Sequence, residues 1–274
     1  REVVKGSGKM KKKRIVSMIL GISFFLVSRV DALTYLGASH SGDPVPGIGA
    51  RSLGMGGTSI ASAIDSSSVF INPSCLGTLD RKELSLTVGI APIVEKIVTE
   101  DELTYFNSQC YFEINSIVMA LPVKRKSMLA LGFAPLYDNK YLHEKTLFDP
   151  VSPGEELGSA SIQAKGALYS YCCGGAWKLG PYLYIGGSIN LLNGKSSFKN
   201  SSIVYVYPPA AITELESRIA GFNFNLGGIL CFTDEFRAGF CVRTRGKLKE
   251  KWKVGGGNSA TEGERDLKSP LTFG

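Results

Sequence analysis

From position 84 onward, hydrophobic and polar residues alternate with a period of two, the signature of strands with two different faces. Within 221–232, Phe222, Phe224, Leu226, Leu230 and Phe232 share one face, while Asn223, Asn225 and Gly227 share the other. The next run repeats the contrast. Phe236, Ala238, Phe240, Val242, Leu248 and Trp252 share one phase, and Arg237, Arg243, Arg245, Lys247, Lys249, Lys251 and Lys253 share the other. The turn Thr233-Asp234-Glu235 separates the two runs. Pairing Phe232 with Phe236 sets Phe240 against Gly228 and Phe222 against Gly246, aromatic over glycine on one face. Two further hairpins are expected upstream. One joins 111–123 to 128–137 through Lys124-Arg125-Lys126-Ser127, and the other joins 161–177 to 182–192 through Lys178-Leu179-Gly180-Pro181.

Polar connections at 138–159, 193–213 and 249–266 read as long loops between these tight turns. Short turns alternating with long loops suit a transmembrane antiparallel β-barrel, whose strands need about 9–11 residues to cross. A soluble β-sandwich is the alternative, with shorter strands and turn signals every ~8–12 residues. Trp177, Tyr182, Tyr184, Phe232 and Phe236 flank two of the turns, as an interfacial aromatic girdle would. Strands are expected at 84–93, 109–123, 128–138, 160–177, 182–195, 213–232, 236–250 and 267–274. A barrel has to close in lipid, so these eight are expected to be part of a longer wall.

Charge changes the picture only at the beginning of the chain. The net charge is +7, but residues 1–32 hold eight of the 31 basic and two of the 24 acidic residues, leaving +1 for 33–274. A basic chain-wide surface for nucleic acid is therefore not indicated. Met10-Lys11-Lys12-Lys13-Arg14, the apolar run 15–27 and Val30-Asp31-Ala32 read as a secretory signal peptide cleaved after Ala32, with 1–9 as an upstream segment. The apolar run is too short to span a bilayer as a helix. Cys75, Cys110, Cys172, Cys173, Cys231 and Cys241 have no metal-site spacing and read as small packing residues. With only His40 and His143, no Ser-His-Asp arrangement is visible, and no cofactor or metal is expected.

Residues 37–79 do not alternate. They form a Gly-rich segment in which a short helix is expected near 59–64, with Asn72-Pro73 as a turn. Gly54, Gly56, Gly57, Ala61 and Ala63 are small enough for close backbone packing against a surrounding wall. The block Gly49-Ala50-Arg51-Ser52-Leu53-Gly54-Met55-Gly56-Gly57, then Asp65, then Asn72-Pro73 and Leu76, resembles the N-terminal region of the FadL/TodX outer-membrane transport family, including its relatives in secretion systems. That family carries G-A-R-x-x-G-M-G-G and a later N-P-A-G-L. Here Asn72-Pro73-Ser74-Cys75-Leu76 and Ile64-Asp65-Ser66 depart from its pattern. The resemblance implies a barrel of about fourteen strands with an N-terminal plug at 33–79, the present chain supplying about eight of them from residue 80 on.

The resemblance also implies passive uptake of small hydrophobic molecules in the bacterial outer membrane. Two other readings stay open: a non-transporting barrel that shuttles or anchors secreted proteins, and a soluble exported β-domain for surface binding. In a transporter, Gly54, Gly56 and Gly57 are the flexible positions of the plug and Asn72-Pro73 its anchor. Arg243 and Arg245, with Asn223 and Asn225, are the candidate lumen-facing contacts, because an arginine there pairs bidentately with a carboxylate. The bland alternative for the basic stripe is a solvated or lipopolysaccharide-facing surface, with Lys249, Lys251 and Lys253 above the bilayer. The leader makes a direct prediction: N-terminal sequencing of membrane-extracted protein starts at Leu33, and a retained Met10 terminus refutes the signal peptide.

Overall fold

Alternation of this kind is realised as one antiparallel sheet. The computed structural model describes residues 42–45, 47–62, 65–98, 104–124, 126–148, 152, 154–204, 211–233, 236–256, 259–268 and 272–273. The leader at 10–32, its cleavage position and the upstream residues 1–9 lie outside the described residues. A two-residue β1 (Asp43–Pro44) precedes helix α1 (Ala50–Gly54) and two 3-10 helices, η1 (Ser66–Phe70) and η2 (Pro73–Thr78). The wall follows as β2 (Glu83–Val98), β3 (Thr104–Lys124), β4 (Ser127–Asp138), β5 (Tyr141–Phe148), β6 (Glu156–Lys178), β7 (Leu183–Val204) and β8 (Ala211–Cys231). It continues with β9 (Arg237–Arg243), β10 (Lys247–Gly256), β11 (Ser259–Lys268) and β12 (Thr272–Phe273).

The hydrogen-bonded order is β11-β10-β8-β7-β6-β4-β3-β2, the up-and-down meander of a barrel wall. β4 and β5 both pair with β6, β9 and β10 both pair with β8, and β12 pairs with β9, so each set is one interrupted strand. The first seven expected strands are present; of the eighth, 267–274, the start falls at the end of β11 and 272–273 form β12, while 269–271 and 274 lie outside the described residues. The expected loops are largely strand instead: β5 and the start of β6 fill much of 138–159, β7 runs on to Val204, and β10 and β11 form a hairpin across 249–266. These stretches mix polar and apolar residues on both faces, as with Tyr141, Leu142, Leu147 and Phe148 on β5, so the clean alternation that reveals a strand is missing from them. β6, β7 and β8 are 23, 22 and 21 residues long. At ~3.4 Å per residue each is ~70–80 Å, more than twice what a bilayer crossing needs.

Large apolar side chains are exposed on one face only, and only along part of each strand. On β8 and the residue after it, the exposed run is Phe222, Phe224, Leu226, Leu230 and Phe232, with Ile212 exposed separately near the start of the strand; on β2 the run is Leu84, Leu86, Val88, Ile90 and Val94. Each span covers about eleven residues, the length of one crossing. They are not level. Through the successive registers, Phe222 aligns with Leu191, Tyr171, Phe133, Ile117 and Leu86. The belt therefore climbs about eight residues over five strand-to-strand steps, which at ~3.4 Å per residue and ~4.8 Å between strands is a slope near 45°. That slope is the strand tilt of a transmembrane barrel.

The hairpin around residue 234 forms as expected, with Phe232 N–H donating to the Phe236 carbonyl at 3.0 Å and Phe240 opposite Gly228. Further up, the expected phase fails. β9 pairs Arg243 with Asn225, but β10 pairs Lys247 with Phe222, so Arg245 and Gly246 together oppose Asn223 as a bulge. One added residue flips everything beyond it. Phe222 thus faces Lys247 rather than Gly246. Leu248 turns to the inner face beside Leu168, Leu192 and Ile219, and Trp252 turns inward opposite Ser217. The lysines at 247, 249, 251 and 253 turn outward, away from the side that Arg243 faces. Tyr184 is a second correction: with Gly186, Ser188 and Asn190 it points inward and is buried, so Trp177, Tyr182, Phe232 and Phe236 remain in the exposed girdle without it.

No helix among the described residues is long and apolar enough to cross a membrane, a fact that bears on helices alone. The belt makes a sharper test. Leu226 is 58% exposed near its middle. Leu226→Arg is expected to destabilise the protein by about 2–4 kcal/mol in denaturant unfolding from lipid vesicles. An exposed site in a soluble sheet would change by less than about 0.5 kcal/mol, and that result would refute membrane placement.

Candidate functional site

The segment before the wall is short of regular structure because its sequence caps and turns it repeatedly. Gly49 stands at φ 87° ahead of α1, and Gly56 and Gly57 at φ 68° and 84° turn the chain after it, conformations that favour glycine. Arg51 and Met55 are exposed on and after α1. The helix expected near 59–64 is instead a turn at 60–62, and the helix lies ten residues earlier. Asp65 caps η1, accepting from Ser67 N–H at 3.0 Å and from its hydroxyl. Asn72 caps η2 and accepts from Ser74 N–H at 3.2 Å, with Pro73 at the first helical position.

Both 3-10 helices lie against the inner face of the wall. Val69, Phe70 and Leu76 are at most 1% exposed and pack on Val118, Ala120, Met128, Ala130 and Ala176. Burial of the Phe70 and Leu76 side chains stabilises the seat by roughly 1.5–3 kcal/mol each. The close backbone approach expected of Gly54, Gly56 and Gly57 occurs elsewhere. A Cβ at Gly54 or Gly56 would meet open space. The close contacts belong to the wall: Gly174 lies under Val69, Gly186 under Pro73 and Ser74, Gly227 under Asn72, and Gly239 under Ile60 and Ala61. Four glycines on four adjoining strands thus form a furrow that receives the plug. Gly49, Gly56 and Gly57 serve the plug's own turns, while Gly77 lets η2 approach Tyr184 and Ala176 of the wall.

Short 3-10 helices leave carbonyls without partners, and here the wall supplies them. Ser188 Oγ donates to the Val69 carbonyl at 3.0 Å, and Cys241 Sγ to that of Ile71 at 2.8 Å. Asn225 Nδ2 and an Arg243 terminal nitrogen both donate to the Phe70 carbonyl, each at 2.9 Å. Arg243 Nε also donates to Asn225 Oδ1 at 3.1 Å. In return, Asn72 Nδ2 donates to the carbonyls of Ile60 at 2.7 Å and Phe240 at 3.3 Å. Asn223 accepts from Asn190 Nδ2 at 2.8 Å, just above this set. Of the four expected lumen contacts, Asn223, Asn225 and Arg243 are brought together. Arg245 is not, because the bulge leaves it exposed.

Directly above the plug, towards the long ends of the strands, is a cavity of about 290 Å³. Leu136, Leu168, Leu192, Ile219, Leu248 and Leu267 give it apolar walls, Asn223 and Arg243 stand at its base, and Lys268 on the edge strand β11 also borders it. Such a chamber, mostly apolar with a few convergent polar groups, is the usual form of a small-molecule site. The sequence pattern missed it. Leu248 belongs to it only because of the bulge, and Leu168 and Leu192 share the inward phase with polar residues. Above the cavity, the buried Glu250 carboxylate accepts from Ser217 Oγ at 2.6 Å and pairs with Arg265.

Cys75, Cys172 and Cys241 are buried and unbridged between plug and wall, and Cys173 is exposed on the opposite face from Cys172. Burial pushes the Cys75 thiol up to about 12, so it stays protonated and unreactive. No cluster of His, Cys, Asp or Glu suited to a metal ion occurs among the described residues.

No family model matches the chain, and no curated protein matches it. Among solved structures, it is similar to a CymD monoaromatic hydrocarbon channel at 13% identity and a TM-score of 0.30, over 83% of this chain and 94% of that one. At that TM-score the likeness does not bear on what this chain carries.

Arg243 makes the plug testable by itself. Arg243→Met keeps much of the bulk but removes one of two donors from the Phe70 carbonyl. The loss, about 1.5–3 kcal/mol for a charged donor, is expected as faster amide exchange across 66–74. Arg245→Met should leave that exchange unchanged, and equal protection in both variants refutes the role given to Arg243.

Proposed function

We propose that this protein is an outer-membrane β-barrel that admits small hydrophobic molecules by passive diffusion, with the N-terminal segment as its plug. The observation that carries this reading is the apolar cavity resting on the plug and sharing Arg243 with it. A ligand in that chamber sits one residue layer above the obstruction. The cavity matches the chemistry: about 150 Å³ suffices for benzene, so 290 Å³ takes a substituted ring or a short alkyl chain. The outward apolar belt supports the location, since such a belt is stable against lipid and a liability in water. The likeness of Gly49–Gly57 and Asn72-Pro73 to the FadL/TodX pattern agrees with it.

Two substitutions acting in opposite directions test the reading. Ile219→Trp fills the chamber and is expected to slow uptake of a hydrophobic tracer by cells several-fold. Gly186→Val drives a side chain into Pro73 and Ser74 and is expected to dislodge the plug, raising uptake. Heat-modifiable gel migration confirms that each variant folds. If deleting the gene leaves uptake of a fatty acid, an alkane and a monoaromatic hydrocarbon unchanged, transport is refuted and a secretion-associated barrel takes its place.

A further inference from the structure

The bulge at 245–246 does more than shape the cavity, because it turns a row of cations to the outside. Lys247, Lys249 and Lys251 on β10 join Arg218 on β8, Lys195 on β7 and Lys268 on β11, all exposed and on the face that carries Phe222 and Leu191. They begin level with Phe222, the last belt residue of β8, and run on from there at the end away from the tight turns. In barrels of this kind the tight turns are periplasmic, so this end borders the outer leaflet.

Within the sheet, the arrangement is unfavourable. Lys247 stands directly opposite Lys268, and Arg218 is flanked by Lys251 on one side and Lys195 on the other. Like charges directly across a ladder destabilise it. Relief is partial: Glu264 pairs with Lys251 at 2.5 Å and Glu216 with Lys195 at 3.5 Å, while Asp266 faces Lys249. Among the described residues, no ion pair serves Lys247, Lys268 or Arg218. Six cations against three carboxylates, level with lipid headgroups, form a surface that is incomplete without an anion.

We infer that this patch binds the phosphate groups of a phosphorylated glycolipid of the outer leaflet. The lipid's acyl chains lie along Phe222, Leu191 and Phe224, and its phosphates lie between Lys247, Lys268 and Arg218. Long lysine side chains suit the site: their methylene stems extend along the apolar border while the ammonium groups reach the headgroup plane. Arg218 supplies the forked donor set that fits phosphate oxygens. The inference rests on the membrane placement of the belt and is independent of what passes through the lumen.

The test uses the full chain folded in detergent micelles, titrated with a bisphosphorylated glucosamine-based lipid and followed by native mass spectrometry. Wild type is expected to bind it, and the triple variant Lys247→Gln, Lys268→Gln, Arg218→Gln to bind about a hundredfold more weakly. Lys199→Gln, farther up β7, should bind as wild type does. The same lipid without its phosphates should bind no better to wild type than to the triple variant, and millimolar inorganic phosphate should not displace the intact lipid. Stability gives a second readout that does not need the triple variant to fold. Lys268→Gln alone is expected to raise the unfolding temperature in lipid-free detergent, by relieving repulsion, and to lower it relative to wild type once the lipid is present. Equal binding by wild type and the triple variant, tight binding of the dephosphorylated lipid, displacement by free phosphate, or no reversal of sign overturns the proposal. Leu226→Arg reports separately on the membrane placement, so the two failures are distinguishable.

Discussion

A strand in this wall meets a different environment on each of its two faces, and almost everything else follows from that constraint. Backbone groups are paired from strand to strand along the wall, which is continuous and antiparallel from β2 to β11. Outward positions become apolar over one crossing, as from Phe222 to Phe232, and inward positions are free to be polar. That freedom is used. Ser188, Asn225 and Arg243 face inward because Phe224, Leu226 and Val242 face outward, and their donors meet the carbonyls of a plug with too few hydrogen bonds of its own.

The wall is also divided around its inner surface. On the β3–β6 side it is apolar, with Val118, Ala120, Met128, Ala130 and Ala176 under Phe70 and Leu76. On the β7–β9 side it is mainly polar or bare backbone, with Tyr184 and Ile229 as an apolar spot against Cys75. The plug has a matching division, with Val69, Phe70 and Leu76 packed on the first side and the carbonyls of Val69, Phe70 and Ile71 met on the second. Hydrophobic burial holds the first side, and hydrogen bonds to otherwise unpaired groups orient the second, where leaving a partner unmade is more costly than the bond is favourable.

The belted part of the wall was legible in the sequence, and the parts beyond the belt were not. Between Leu84 and Phe240 the two faces differ so strongly in polarity that strand starts, hairpin turns and the Phe240–Gly228 pairing could be read directly. Above the belt both faces are wetted, the contrast disappears, and strands such as 193–204 look like loops. The bulge was hidden for a related reason. Across 243–253 basic residues keep an unbroken odd-numbered phase, and nothing in that pattern marks the extra residue that moves Leu248 inward and the lysines outward. Of the site, Asn72-Pro73, Asn223, Asn225 and Arg243 were readable as special. Their partners were not, because a backbone carbonyl carries no sequence signal.

The glycine furrow has a consequence for how strands find their alignment. A slip of one residue between β7 and β8 would turn Ile189 or Phe224 to the inner face and Asn225 to the outer, so the contrast between the faces rejects it. A slip of two residues restores the faces, and that contrast cannot tell it from the native pairing. The furrow can. Gly186 lies opposite Gly227 in only one register, and two residues away stand Tyr184 and Ser188 on one strand, Asn225 and Ile229 on the other. Any such shift would put a side chain where Pro73, Ser74 and Asn72 must fit. The contrast between the two faces therefore proofreads the odd errors of strand pairing, and the seated N-terminal segment proofreads the even ones.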